Sequence, residues 1–114
     1  MKANRGEIWR VEFDPSTGQE IGKIRPAVIV SENSIGKLPL KIVVPVTDWK
    51  DRYDMFPWFV CLRPSESNRL TKISGADGFQ VKSVSEDRLK GKIGDVSPSD
   101  LDDIVHAIAL CIGL

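Results

Sequence analysis

Two runs dominate what this chain can fold into: Ala27-Val28-Ile29-Val30-Ser31 and Lys41-Ile42-Val43-Val44-Pro45-Val46-Thr47. Both are rich in β-branched side chains, whose restricted rotamers suit a pleated strand. Both are apolar at nearly every position rather than at every second one. Successive side chains leave a strand on opposite faces, so both faces of these strands must be covered. They are predicted to be central strands of a closed or doubly covered sheet. Pro45 has no N–H to give to a ladder and is expected at a bulge or an edge.

Smaller elements surround them. In Glu7-Ile8-Trp9-Arg10-Val11-Glu12-Phe13, Trp9, Val11 and Phe13 share one face while Arg10 and Glu12 share the other, as in a half-buried strand. Asp14-Pro15-Ser16-Thr17-Gly18 stops it with turn residues, and a polar, glycine-containing loop runs on through Gln19-Glu20-Ile21-Gly22-Lys23. Further strands are predicted at residues 58–62, 79–84 and 91–96. The stretch from Asp48 to Met55 is too charged for a core element and predicts a second exposed loop. Ser97 fits a helix N-cap, with Pro98 at the first helical position; Leu101, Ile104, Val105, Ile108 and Ile112 then recur at helical spacing before Gly113. Many short strands and one closing helix make a mainly β fold, a small barrel with a C-terminal helix docked on it.

At 114 residues there is room for one domain, 1–114, with one modest core. No stretch approaches the roughly 18 apolar residues of a membrane span. The start, Met1-Lys2-Ala3-Asn4-Arg5-Gly6-Glu7, has no apolar signal core, so a cytoplasmic location without a membrane partner is expected. Cys61 and Cys111 stand in apolar surroundings without metal-binding spacing and are expected to be buried thiols. Net charge is zero, yet all sixteen Lys and Arg fall in residues 1–94 against twelve acids there, and residues 95–114 carry four acids and no base. A solvated helix face accounts for the acidic tail, and the mildly basic body is compatible with nucleic acid without demonstrating it.

The common enzyme signatures are missing: there is no GxGxxG, Walker loop, GxSxG or HExxH. His106 is the only histidine, which excludes a ribonuclease built on a His pair, and its place beside Asp102 and Asp103 predicts a surface residue. No carboxylate, His or Cys group has ligand spacing, so neither a metal nor another cofactor is expected. What remains is polar groups at the ends of apolar strands. Arg25 stands just before the first run and Thr47 ends the second, so both can reach one rim, and the loop bearing Glu20 and Lys23 covers the same region. A planar Arg fork can grip two phosphate oxygens while Thr donates a third hydrogen bond. Arg before a strand is also an ordinary surface charge and Thr at a strand end an ordinary turn residue, so spacing alone leaves both readings open.

Five segments, taken in order, resemble one family. Arg5-Gly6-Glu7-Ile8-Trp9 with Phe13-Asp14-Pro15 and Gly18-Gln19-Glu20, then Arg25-Pro26-Ala27-Val28-Ile29-Val30-Ser31, look like the N-terminal signature of MazF/PemK toxins. Val44-Pro45-Val46-Thr47, Gln80-Val81-Lys82-Ser83-Val84, and Arg88-Leu89 followed by Ile93-Gly94-Asp95-Val96-Ser97 resemble its later strands and its lead into the final helix. The resemblance implies an SH3-like barrel of the MazF/CcdB type with five to seven strands, paired as a homodimer. It also implies metal-independent cleavage of single-stranded RNA to 2′,3′-cyclic phosphate and 5′-hydroxyl ends, and a cognate antitoxin that folds across the basic rim.

Carried over by position, Arg25 and Thr47 match the family's catalytic pair, Glu20 an acidic loop residue implicated in activity, and Gln80 with Lys82 the RNA-contacting strand; Gln19 and Lys23 flank Glu20 on the substrate loop. Arg25 is expected to supply charge, Thr47 to orient a phosphate oxygen, and Glu20 to act as base. Trp49 and Tyr53 are candidates for stacking on unpaired bases, whereas Phe56 and Trp58 are expected in the core. The chain departs from the family at Ile21-Gly22-Lys23-Ile24, where Gln and Gly are usual, and at Phe79, where a small or acidic residue is usual. A CcdB-like toxin that binds gyrase without catalysis, or an inactive SH3-like interaction module, would share the barrel. The tail ending Cys111-Ile112-Gly113-Leu114 lacks the aromatic, polar character of the gyrase binders.

Overall fold

The computed structural model describes residues 2–35 and 38–114; Met1, where the segment read for a signal core begins, lies outside them with Gly36 and Lys37. The described strands are β1 (Glu7–Glu12), β2 (Ile24–Ile29), β3 (Leu40–Asp48), β4 (Phe59–Leu62), β5 (Ser74–Asp77), β6 (Lys82–Ser85) and β7 (Leu89–Asp95), followed by the helix α1 (Pro98–Cys111). They form one antiparallel sheet in the order β4-β5-β3-β2-β1-β7, with β6 also paired to β3.

The two apolar runs lie at the centre of this sheet. Ile8, Val28, Val44 and Val46 point to one face, where they meet Leu62, Ala76, Val96 and Ile104 of the helix. Trp9, Val11, Ala27, Ile29 and Val43 point to the other, against Phe13, Val84 and Leu89. Both faces are covered, as nearly continuous apolar strands require. Each fully buried Val or Ile contributes about 1.5–3 kcal/mol.

β3 exchanges neighbours along one edge: residues Leu40 to Val43 pair with β6, and Val46 to Asp48 with β5. Pro45 falls in the gap between the two, where that edge has no ladder partner, while its other side faces Ala27 of β2. It is fully buried within a central strand rather than at a bulge or edge. The break between two neighbours is what tolerates its missing N–H.

The sheet curls like a barrel but stays open, because β4 and β7 at its ends are not hydrogen-bonded to each other. The segment after β4 bridges the gap. The Asp95 N–H donates to the Ser67 carbonyl at 2.9 Å. The buried Asn68 side chain donates to the Arg63 carbonyl at 2.8 Å and accepts from the N–H groups of Ser65 and Leu70 at 2.9 and 3.0 Å. Gly94 permits the approach, since a Cβ there would stand 2.5 Å from the Asn68 carbonyl oxygen.

The strand β5 has no counterpart in the sequence reading. Ser74-Gly75-Ala76-Asp77 lacks β-branched and aromatic residues, yet all four are buried between β3 and β4. Small residues are needed here because aromatic rings crowd the strand: a Cβ on Gly75 would lie 3.1 Å from both Phe59 and Trp49. The strand predicted at 79–84 starts only at Lys82, because Gly78–Gln80 form a 3-10 turn capped by Asp77.

At the helix, Ser97 Oγ accepts the Asp100 N–H at 3.0 Å, as its N-cap position predicts. Ile104 and Ala107 are buried and Leu101 and Ile108 pack beside them. Ile112 is exposed, since it caps the helix beyond the sheet. His106 is exposed, as its helical position implied. Cys61 and Cys111 are not buried thiols but half-buried, the first on the end strand β4 and the second on the last residue of α1.

Candidate active site

Arg25 and Thr47 are brought together by strand register. Val11 faces Arg25 across β1 and β2, and Thr47 faces Gly75 across β3 and β5. The β2–β3 ladder ends at Ala27 opposite Pro45, and Arg25 and Thr47 each lie two residues beyond that last pair. Alternation puts both on the face that carries Ala27 and Val43. They line one cleft of about 270 Å³ with Pro26, Asp48, Lys50 and Ser74. Arg25 is exposed and Thr47 half-buried. Among the described residues, neither side chain is committed to a hydrogen bond or ion pair. Asp48 is offset by Lys72, 3.7 Å away in an exposed pair, so two cations, Arg25 and Lys50, set the sign of the cleft.

The loop of residues 14–23 is tied down at three points. The Phe13 N–H donates to the Lys23 carbonyl at 2.8 Å, Ile21 packs against the core, and the Ile21 N–H donates to Gln80 Oε1 at 2.6 Å. Lys23 itself takes a left-handed conformation, φ 62°. Glu20 Oε1 accepts the Thr17 N–H at 2.7 Å, so this carboxylate turns back on its own loop. Glu20 lines a neighbouring cavity with Ile21, Gln80 and Lys82 rather than the Arg25 cleft. Lys82 Nζ lies 6.0 Å from the Phe13 ring centre.

Six of the eight aromatic residues form one connected surface cluster. Trp49 meets Tyr53 edge-on at 5.5 Å, and Tyr53 stacks on Phe59 at 3.9 Å. Phe56 stacks on Trp58 at 4.9 Å, and Trp58 meets Phe79 at 5.6 Å and 73°. Phe56 and Trp58 are half-buried members of this cluster, not core residues as predicted. The segment Asp51–Met55 folds as a 3-10 turn that stays on the surface, so the rings beneath it pack mainly on each other. Trp49 adjoins the Arg25–Thr47 row through its contact with Gly75.

Asp77 was not anticipated. Only 7% exposed, it accepts the Phe79 N–H at 3.1 Å on one oxygen and the Gln80 amide at 3.2 Å on the other. Burial pushes its carboxyl above the ordinary carboxylate range against the pull of those bonds. The Gln80 amide is therefore engaged at both ends, joining Asp77 to the Glu20 loop. The turn dipeptide Asp77-Gly78 was the signal that could have exposed this cap. Among the described residues no group of three or more His, Cys, Asp or Glu is placed to hold a metal ion, and no helix is long and apolar enough to cross a membrane.

With this geometry in view, comparison with known proteins places the chain. The family described as PemK-like, MazF-like toxins of type II toxin-antitoxin systems matches residues 4–112. Endoribonuclease MazF9 of Mycobacterium tuberculosis is 33% identical over 96% of this chain and 96% of its own length. Endoribonuclease MazF of Staphylococcus saprophyticus is 26% identical over 96% and 91%. The crystal structure of MazF (Form-I) from Deinococcus radiodurans has the same fold, with a TM-score of 0.81 at 21% identity over 98% of this chain and 97% of that one. So has an endoribonuclease in complex with its cognate antitoxin from a mycobacterial species, with a TM-score of 0.79 at 22% identity over 99% and 97%. This chain belongs to the PemK-like, MazF-like toxins, the toxin components of type II toxin-antitoxin systems.

Proposed function

We infer that this toxin is an endoribonuclease that cuts single-stranded RNA over the Arg25–Thr47 row and so halts translation. The observation that carries the reading is the pair of uncommitted donors at the neighbouring ends of β2 and β3 that line one cationic cleft. The curated relatives named above are endoribonucleases, which supports cleavage over gyrase binding.

In the reaction, the substrate's own 2′-hydroxyl attacks phosphorus, the bond to the 5′ oxygen breaks, that oxygen takes a proton from solvent water, and a 2′,3′-cyclic phosphate and a 5′-hydroxyl result. Charge accumulates on the non-bridging oxygens. A guanidinium, ionised at any working pH, is suited to that charge and unsuited to act as base. Arg25 holds the developing negative charge, Lys50 adds to the field, and Thr47 donates to a phosphate oxygen. No step calls for a metal ion. Glu20 takes the 2′-hydroxyl proton only after the 14–23 loop swings from its anchor on Gln80 toward Arg25. Gln19, Lys23, Trp49, Tyr53, Gln80 and Lys82 hold the flanking nucleotides.

The working form is a homodimer in the cytoplasm, restrained by a cognate antitoxin whose acidic, partly disordered segment folds over the cleft. Solved structures of MazE-MazF from Deinococcus radiodurans and of a mycobacterial endoribonuclease with its cognate antitoxin support such a partner. The test is to incubate the purified chain with a long unstructured RNA in EDTA and map the ends. Cuts at a short sequence with cyclic-phosphate ends are expected, and intact RNA under all conditions would refute the reading.

A further inference from the structure

Phe79 is the feature that neither the fold nor the cleavage chemistry explains. The residue is 63% exposed, although burying a Phe side chain is favourable. The turn that carries it is rigid. The Gly78 N–H donates to the Trp58 carbonyl at 2.9 Å, and Gly78 sits so close to the helix that a Cβ would lie 3.1 Å from the Ala107 side chain. The Phe79 N–H is fixed by buried Asp77, and the next residue, Gln80, is tied to Asp77 by a bond that does not involve the 14–23 loop. An apolar ring is thus held outward on a turn anchored at several points.

The surroundings fit a flat, uncharged ligand. Phe79 and Trp58 meet at 73°, making a corner, and with Gln19, Glu20, Asp77 and Gln80 they line a cavity of about 360 Å³. One face of Trp58 is backed by Phe56, stacked at 11°. The Asp77 carboxylate accepts two hydrogen bonds and one Glu20 oxygen accepts the Thr17 N–H, so the two ring faces are the corner's main open surface. A base laid on one ring presents its edge to the other, and aromatic stacking of this kind accepts any base. Lys82 lies three residues beyond Phe79 along the chain to meet the nucleic-acid backbone. The corner also continues the cleavage site: Phe79 is four residues from Gly75, which faces Thr47, and four residues span at most roughly 14 Å.

We propose that the Phe79–Trp58 corner is a nucleobase subsite that seats one unpaired base of the RNA a few nucleotides from the scissile phosphate, by stacking rather than by edge readout. The proposal rests on the ribonuclease reading above. Purines, with the larger ring faces, bind it best.

The test walks a single abasic ribonucleotide along an oligoribonucleotide that contains the mapped cleavage sequence, using the full-length wild-type chain, Phe79→Ala and Phe79→Tyr. For the wild type, one abasic position away from the cut should raise KM roughly tenfold with kcat little changed, in line with the usual worth of one stacked base. Phe79→Ala should raise KM by a similar factor on the intact substrate and lose all sensitivity at that position, while Phe79→Tyr restores both. A Phe79→Ala enzyme whose KM is unchanged, or whose sensitivity to abasic positions matches the wild type, overturns the subsite. So does a variant whose only defect is loss of the dimer or weaker binding to the cognate antitoxin, which would give the ring to a protein partner. Failure of the wild type to cut any substrate is a separate result, which sinks the ribonuclease reading and the subsite with it.

Discussion

Glu7 and Arg25 stand at ends of adjacent strands of one sheet, both charged, and the sheet treats them in opposite ways. Glu7 Oε1 accepts the Asn4 N–H at 2.8 Å and Trp9 Nε1 at 2.9 Å, and Oε2 lies 3.3 Å from Lys92 Nζ, which also reaches Asp95 at 3.3 Å. Burial opposes the charge, but these bonds together hold the Glu7 carboxyl below its ordinary range. Arg25 and Thr47, in contrast, face a cleft with no such commitments among the described residues. One cluster is polar because the fold needs its bonds; the other is polar although the fold does without it. Donors that do no structural work are available to a substrate.

This contrast predicts a double dissociation. Arg25→Ala should lower the rate of RNA cleavage roughly 10²–10³-fold while its stability in a urea titration stays within about 0.5 kcal/mol of the parent. Glu7→Ala should do the reverse, costing roughly 1.5–3 kcal/mol with cleavage per folded molecule unchanged. Because the native pKa of Glu7 is depressed, its contribution is present above the ordinary carboxylate pKa and is lost as pH falls through the lowered one. Denaturation of parent and variant should therefore converge in acid, and a difference that grows there would count against the assignment. Thr47→Val keeps the β-branched shape and removes the hydroxyl, so cleavage should slow by roughly 10- to 100-fold, the worth of one hydrogen bond to a charged oxygen. Smallest of all, Lys72→Ala breaks only the exposed pair with Asp48 and should shift stability by less than about 1 kcal/mol.

The parts of the fold that could be read from the sequence are those where side-chain pattern and burial coincide. The two apolar runs became β2 and β3 at the centre, and Ser97-Pro98 opened the helix, because β-branching, double-sided apolarity and capping act locally. β5 was invisible, since Ser74-Gly75-Ala76-Asp77 is a strand only by virtue of its neighbours: crowding by Phe59 and Trp49 selects small residues that local propensity disfavours. The same holds for Phe56 and Trp58, whose burial depends on what a surface turn leaves uncovered. At the cleft, Arg25 and Thr47 were legible because both end strands whose pairing could be anticipated. Asp77 was not, since its burial arises from β5, and neither was the turn of Glu20 back onto Thr17.

The central claim is that the scissile phosphate sits on the Arg25–Thr47 row. The most direct measurement is a crystal structure of the protein with an oligoribonucleotide that carries a 2′-O-methyl group at the cleavage position and so cannot be cut. The account predicts that the phosphate following that nucleotide lies within hydrogen-bonding distance of the Arg25 guanidinium and the Thr47 hydroxyl. A scissile phosphate seated elsewhere, with both side chains still free, would contradict it.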